Sequence, residues 1–153
     1  MKDNLNNMKC LRVALATVRF DNVPSSVKSK YLSCCRVSRT NGILDYEYCI
    51  RRNLDVESFS RKLKLDLDGW LGDEIARLNK FGLKPVLYAG FFAHGLEYFN
   101  GCFGEKTLNK LAGQGRSICI VFDSEDGQRA MAIVIPKALI ALLAKYHFSL
   151  ELS

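Results

Sequence analysis

Between Phe59 and Leu78 the apolar residues return at steps of three and four: Phe59, Leu63, Leu67, Trp70, Leu71, Ile75 and Leu78. That spacing draws one apolar stripe along a helix, and a helix with one such stripe must lie against a core. Gly69 and Gly72 interrupt the pattern at about 1 kcal/mol each relative to Ala, so the helix bends there or divides in two. Lys80 stands in the last turn, where a cation suits the helix dipole, and Gly82 fits the left-handed position just past the end. Pro85-Val-Leu-Tyr-Ala-Gly-Phe-Phe92 follows, almost wholly apolar, and reads as a strand covered on both faces. An amphipathic helix feeding a buried strand calls for a sheet with helices laid on it. The rest of the chain has to supply that sheet.

Leu11 to Phe20 alternates with both sides fairly apolar and reads as a central strand. Asp21-Asn-Val-Pro24 closes it as a turn, and Ser25 or Ser26 is placed to cap a short helix through Leu32. Arg36 to Gly42 is polar and ends in Asn41-Gly42, a hairpin-turn pair. From Ile43 to Arg51 the alternation is clean, with Leu44, Tyr46, Tyr48 and Ile50 on one face. This segment reads as a half-buried strand with an antiparallel neighbour. Asn53 or Asp55 offers the cap of the long helix, and Glu57 falls in its first turn.

Beyond the apolar strand, Ala93-His94-Gly95 reads as a turn and Leu96 to Phe103 as a shorter strand broken by Asn100-Gly101. Glu105 to Leu111 is a short helix stopped by Gly113 and Gly115. Arg116 to Phe122 is a buried strand, paired with Arg129 to Ile135 across the acidic loop Asp123 to Gln128. Pro136 fits the first position of a last helix over Ala138 to Tyr146. Phe148, Leu150 and Leu152 then alternate as a tail strand. No linker, repeat or low-complexity stretch divides the chain. The expectation is a single α+β domain over residues 1–153, with 1–9 as a polar N-terminal tail. Its mostly antiparallel sheet has roughly five to seven strands, with helices packed mainly on one face.

A chain of 153 residues is long enough for one real core, and 48% hydrophobic with 25% charged residues excludes a wholly disordered one. No apolar run approaches the roughly 18 residues of a membrane span. Met1 to Asn7 lacks the basic flank and apolar centre of a signal peptide, so the expected compartment is the cytoplasm, with no membrane partner. The six cysteines include no C-x-x-C pair and only two histidines accompany them, so they read as reduced thiols rather than a zinc set. The net charge of +6 is uneven: residues 1–65 hold 13 basic against 6 acidic side chains, and residues 66–153 hold 9 against 10. A basic half suits an acidic partner, nucleic acid among them.

The chemical motifs fall away on inspection. Asp66-x-Asp68-Gly69 matches the middle of a calcium loop, but that register puts Lys64 at the first ligand and Ile75 at the last. Cys34 or Cys35 with a histidine would make a nucleophile and base, but only His94 and His147 are available and no spacing orients either. Gly90, Gly95, Gly101 and Gly104 do not form a phosphate loop. The aromatics of 88–103 are separated in sequence from the basic residues before Lys64, unlike the interleaved face of an RNA-binding sheet. No catalytic residue, metal ligand or cofactor is expected, and an enzyme is not.

The order of pieces from about Leu54 to Asp123 resembles a group of small bacterial immunity-type proteins, of the contact-dependent growth inhibition kind. The likeness rests on Ile75-Ala-Arg-Leu-Asn-Lys-Phe-Gly82, a strand ending Gly90-Phe-Phe92, the segment Phe103-Gly-Glu-Lys-Thr-Leu-Asn-Lys-Leu-Ala-Gly113 and a strand ending at Asp123. It covers a little under half of the chain. It implies a protein that binds a cognate toxin and occludes it, with no catalytic residues of its own. For a basic toxin such as a nuclease, the expected contact residues are the acids Asp66, Asp68, Asp73 and Glu74. His94, Glu97, Tyr98 and Phe99 would join them from the loop after the apolar strand, the aromatics as anchors. The alternative is a small RNA- or DNA-binding regulator that uses the basic N-terminal half.

Overall fold

The computed structural model describes residues 9–10, 12–28, 35–48, 56–92, 101–123 and 130–152. Six strands make up the main sheet: β2 (Arg12–Phe20), β3 (Cys35–Thr40), β4 (Ile43–Tyr48), β5 (Val86–Phe92), β6 (Gly101–Phe103) and β9 (Ser149–Leu152). Their spatial order is β3-β4-β2-β5-β9-β6. All neighbours are antiparallel except β5 and β9. A second sheet joins β1 (Lys9–Cys10), β8 (Ala130–Ile135) and β7 (Ile118–Asp123) in that order. The helices are α1 (Val56–Leu67), α2 (Trp70–Asn79), α3 (Glu105–Gly113) and α4 (Lys137–Lys145). The chain is an α+β domain, as its alternation of patterns predicts. Among the described residues no helix is long and apolar enough to cross a membrane.

Register decides which face is buried. Val37, Tyr46, Val18, Leu87, Leu150 and Phe103 stand opposite one another in one row across all six strands. Every one is buried or packed against the core. The next row, displaced by one residue, is Arg36, Glu47, Thr17, Tyr88, Glu151 and Cys102. A strand's side chains alternate between faces, so the first row meets the helices, and Glu47, Thr17, Tyr88, Glu151 and Cys102 of the second face away. Phe59, Leu63 and Leu67 of α1, Leu71, Ile75 and Leu78 of α2, Leu108 of α3 and Leu139, Ile140 and Leu143 of α4 close over the first row.

Several segments depart from the sequence reading. The polar stretch 36–42, to which the sequence reading assigned no strand, holds β3 (Cys35–Thr40) at the end of the main sheet, and Asn41 and Gly42 make the expected two-residue turn to β4 with φ of 49° and 81°. Ser38, Arg39 and Thr40 are exposed, so only Val37 carried an apolar signal. Ser25 and Ser26 cap no helix at their own position. They form a turn, with Val27 N–H donating to the Pro24 carbonyl at 3.0 Å, and the rest of that predicted helix lies outside the described residues. Strand β5 is not covered equally: Leu87 and Ala89 are buried, Val86 and Tyr88 only half-buried. The tail strand β9 is interior, seated between β5 and β6. Strands β7 and β8 pair as predicted but belong to the second sheet. Lys9, placed in the polar tail, opens β1. The caps Asn53 and Asp55 lie outside the described residues.

The break predicted at the glycines separates α1 from α2 at Asp68 and Gly69, and the tightest point of the elbow is Gly72, inside α2. A Cβ there would run into the Leu67 carbonyl oxygen and sit 3.5 Å from the Tyr146 ring. The Leu67 carbonyl, at the end of α1, accepts a hydrogen bond from the Tyr146 hydroxyl at 2.9 Å. The elbow is thus clamped by the residue that follows α4. Helix α2 stops as predicted: Gly82 has φ of 76°, its N–H donates to Asn79 O, and Leu83 N–H donates to Leu78 O. Helix α4 ends by the same pair of bonds, with His147 in the left-handed position at φ of 63°.

Two alanine substitutions separate these constraints. Gly72→Ala is expected to cost about 2 kcal/mol or more, because backbone must move to admit the methyl group. Gly113, in the last turn of α3, has nothing within 4 Å of the place an alanine methyl would take. Gly113→Ala is expected to gain up to about 1 kcal/mol from helix propensity. Urea denaturation midpoints of the two variants check both signs.

Candidate binding surfaces

The elbow between α1 and α2 carries the acidic stretch. Asp68 and Asp73 are exposed and Asp66 is half-buried. The Lys64 ammonium donates to Asp68 Oδ2 at 2.9 Å, one helical turn away. That hydrogen bond holds the Asp68 carboxyl below the usual carboxylate range. Leu65, off the apolar stripe and one turn before Asp68, is 73% exposed. The sequence stripe already left Leu65 outside, so its exposure was there to be read. Leu65 thus stands exposed with Asp68 one turn after it and the basic Arg61 and Lys62 one turn before it, and a large apolar side chain in a charged surround, on helices joined at a fixed elbow, has the composition of an interface anchor.

Glu74 does not belong to that surface. Its side chain is buried, accepting from the Tyr46 hydroxyl at 2.9 Å and from the Arg77 guanidinium. The reason is spacing: Glu74 falls three residues after Leu71 and four before Leu78, on the inward stripe. Burial, with the Glu74 charge beside it, pushes the Tyr46 phenol above its ordinary range, so it remains a donor. The Tyr46 ring also meets Trp70 at 6.3 Å between centroids and Phe20 edge-on at the same distance. Trp70 Nε1 and one Arg77 guanidinium nitrogen are buried here with no hydrogen-bond partner among the described residues. This cluster ties α2 to β4. His94, Glu97, Tyr98 and Phe99 lie outside the described residues.

The outer sheet face joins groups that the sequence keeps apart. Arg19 makes a two-pronged ion pair with Asp45, at 2.7 and 3.0 Å, and its guanidinium lies over the Tyr88 ring at 4.7 Å. Burial and Glu151 raise the Tyr88 phenol. A basic and an aromatic residue therefore do interleave on one strand face, but Asp45, Glu47 and Glu151 share it. Arg39 is committed elsewhere, donating to the carbonyls of Val23, Pro24 and Val27 and fastening that turn to the β3–β4 hairpin.

A third group joins three elements at the surface. Glu105, in the first turn of α3, accepts from Lys84 at 2.8 Å and lies 3.0 Å from His147 Nδ1. The Lys84 hydrogen bond, then that of His147, holds the Glu105 carboxyl below its ordinary value. Among the described residues no three His, Cys, Asp or Glu side chains gather as a metal site. Comparison with protein-family models, with curated proteins and with solved structures finds no match.

Tyr46→Phe removes one hydrogen bond to a buried carboxylate and is expected to cost about 1.5–3 kcal/mol, measured by chemical denaturation. Glu105→Gln is expected to cost less than about 1 kcal/mol at neutral pH, since its partners are largely exposed. Its carboxyl is depressed in the folded state, so the stabilisation is complete above the unfolded value of about 4.3 and is lost as pH falls through the lower folded value. Stability curves of the parent and Glu105→Gln should therefore converge in acid and stay apart at neutral pH.

Proposed function

We propose that this chain is an immunity-type binding protein that neutralises a cognate bacterial toxin by covering the surface through which the toxin acts. The observation that carries the reading is the exposed Leu65 on a clamped helical elbow that also carries Asp66, Asp68 and Asp73. An anchor on a rigid support loses little conformational freedom on binding, and carboxylates around it steer a basic partner such as a nuclease. The order of sequence segments from 54 to 123, which resembles that of immunity-type proteins, points the same way.

The alternative, a nucleic-acid regulator working through the basic N-terminal half, needs arginines free to meet phosphates. Arg19 is held by Asp45 and Arg39 by backbone carbonyls, which removes two of them from that role. The toxin-binding reading is therefore preferred.

The test is expression of the product of the adjacent open reading frame with and without this chain. That product should harm cells lacking the chain and co-purify with it. In the complex, Asp68→Lys with Asp73→Lys should slow association and flatten its dependence on salt. Leu65→Ala should speed dissociation, at a cost of about 2 kcal/mol if it is the anchor. A harmless neighbour, or a complex indifferent to all three changes, would overturn the reading.

A further inference from the structure

The proposed contact surface is assembled from two helices. Leu65 and Asp66 lie in the last turn of α1, and Asp73 lies in the first turn of α2. Their relative placement therefore depends on the angle at which α1 meets α2. Two groups converge on that angle at the Leu67 carbonyl. The carbonyls at the end of a helix lack partners within the helix itself. The Leu67 oxygen accepts from the Tyr146 hydroxyl at 2.9 Å, and the Gly72 backbone lies so close to it that any Cβ there would collide. Tyr146 is held firmly enough to act as a support. Its own N–H donates to Leu142 O at the end of α4, and two residues later the fully buried Phe148 donates its N–H to Leu143 O. The ends of α1 and α4 meet at a second point as well. Lys145 Nζ lies 5.5 Å from the centroid of the Tyr146 ring, and Asp68 is held below the usual carboxylate range first by the Lys64 hydrogen bond and lastly by the charge of Lys145.

We propose that Tyr146 is a positioning residue for this surface: its hydroxyl fixes the angle of the elbow, and with it the placement of Leu65 relative to Asp73. The role in binding rests on the toxin-neutralising reading, whereas the role at the elbow stands on the geometry alone. A surface built on one helix would keep its shape whatever the neighbouring helix did. A surface built on two keeps it only while the joint is held. Without the Tyr146 hydrogen bond the elbow samples other angles, and only a fraction of molecules present the surface that the partner fits. Apparent affinity then falls by that fraction, although every contact residue is still in place.

Tyr146→Phe removes the hydroxyl and keeps the ring beside Gly72, so it tests the hydrogen bond alone. Amide hydrogen exchange of the free full chain reads the elbow at Asp68, Gly69 and Asp73, whose N–H groups donate to the carbonyls of Lys64, Asp66 and Gly69. Loss of one hydrogen bond should speed exchange at these three amides about three- to tenfold. Gly82 and Leu83, whose N–H groups close the far end of α2, should keep the parent rate. With the product of the adjacent reading frame as the probe, Tyr146→Phe should slow association severalfold. Elbow amides that exchange as in the parent, or that speed up no more than Gly82 and Leu83, overturn the proposal. So does an association rate that stays unmoved while the elbow amides speed up. A neighbouring product that forms no complex overturns the toxin-binding reading instead, and the exchange rates by themselves then decide the role of Tyr146 at the elbow.

Discussion

Six side chains in a line hold the main sheet to its helices. Val37, Tyr46, Val18, Leu87, Leu150 and Phe103 come from six strands and from residues spread between 18 and 150, yet they occupy one row. A slip of one residue in any strand would replace its member with one from the polar row beside it, such as Glu47 for Tyr46 or Glu151 for Leu150. Each of those two exchanges would forfeit roughly 1.5–3 kcal/mol of apolar burial and place a charge under the helices. The register is thus set by the helices above the sheet as much as by the backbone ladder. The same alternation explains why the outer face is polar, with Arg19 held between Asp45 and Tyr88.

The helical layer is tied together from the far end of the chain. Tyr146 caps the last carbonyl of α1 and packs beside Gly72, while His147, the next residue, turns α4 into β9 and reaches Glu105 at the start of α3. Two consecutive residues therefore touch the elbow and the α3 terminus at once. The exposed Leu65 and its carboxylates sit on that elbow. Their placement depends on a hydroxyl 79 positions away in sequence.

Much of this was legible in the chain. The stripe from Phe59 to Leu78, the break at the glycines, the stop at Gly82 and the alternation of Leu44 and Tyr46 each have one physical reading, and the structure follows it. Edge strand β3 was not legible, because an edge facing solvent on one side with a single inward valine has almost no apolar period. The interior position of β9 was hidden for another reason: four alternating residues look the same at an edge or a centre. Glu74 was misassigned by its company. Its neighbours Asp68 and Asp73 are acidic and exposed, but helical spacing, which was available, puts it between Leu71 and Leu78. The meeting of Arg19 and Tyr88 depends on β2 lying beside β5, and strand order is not written in local pattern.

Strand β9 has a consequence for the order in which the fold can assemble. Strands β2 to β5 and helices α1 and α2 all lie between residues 12 and 92, and their pairings are antiparallel. The far edge of β5 must wait for residues 149–152, which reach it in parallel only after α4 has formed and turned. Strand β6 waits as well, because among the described residues its ladder is with β9 alone. Closing a loop of that length comes late and slowly. Until it closes, the largely apolar β5 has an open side, and that interval is when a nascent copy is most exposed to wrong partners.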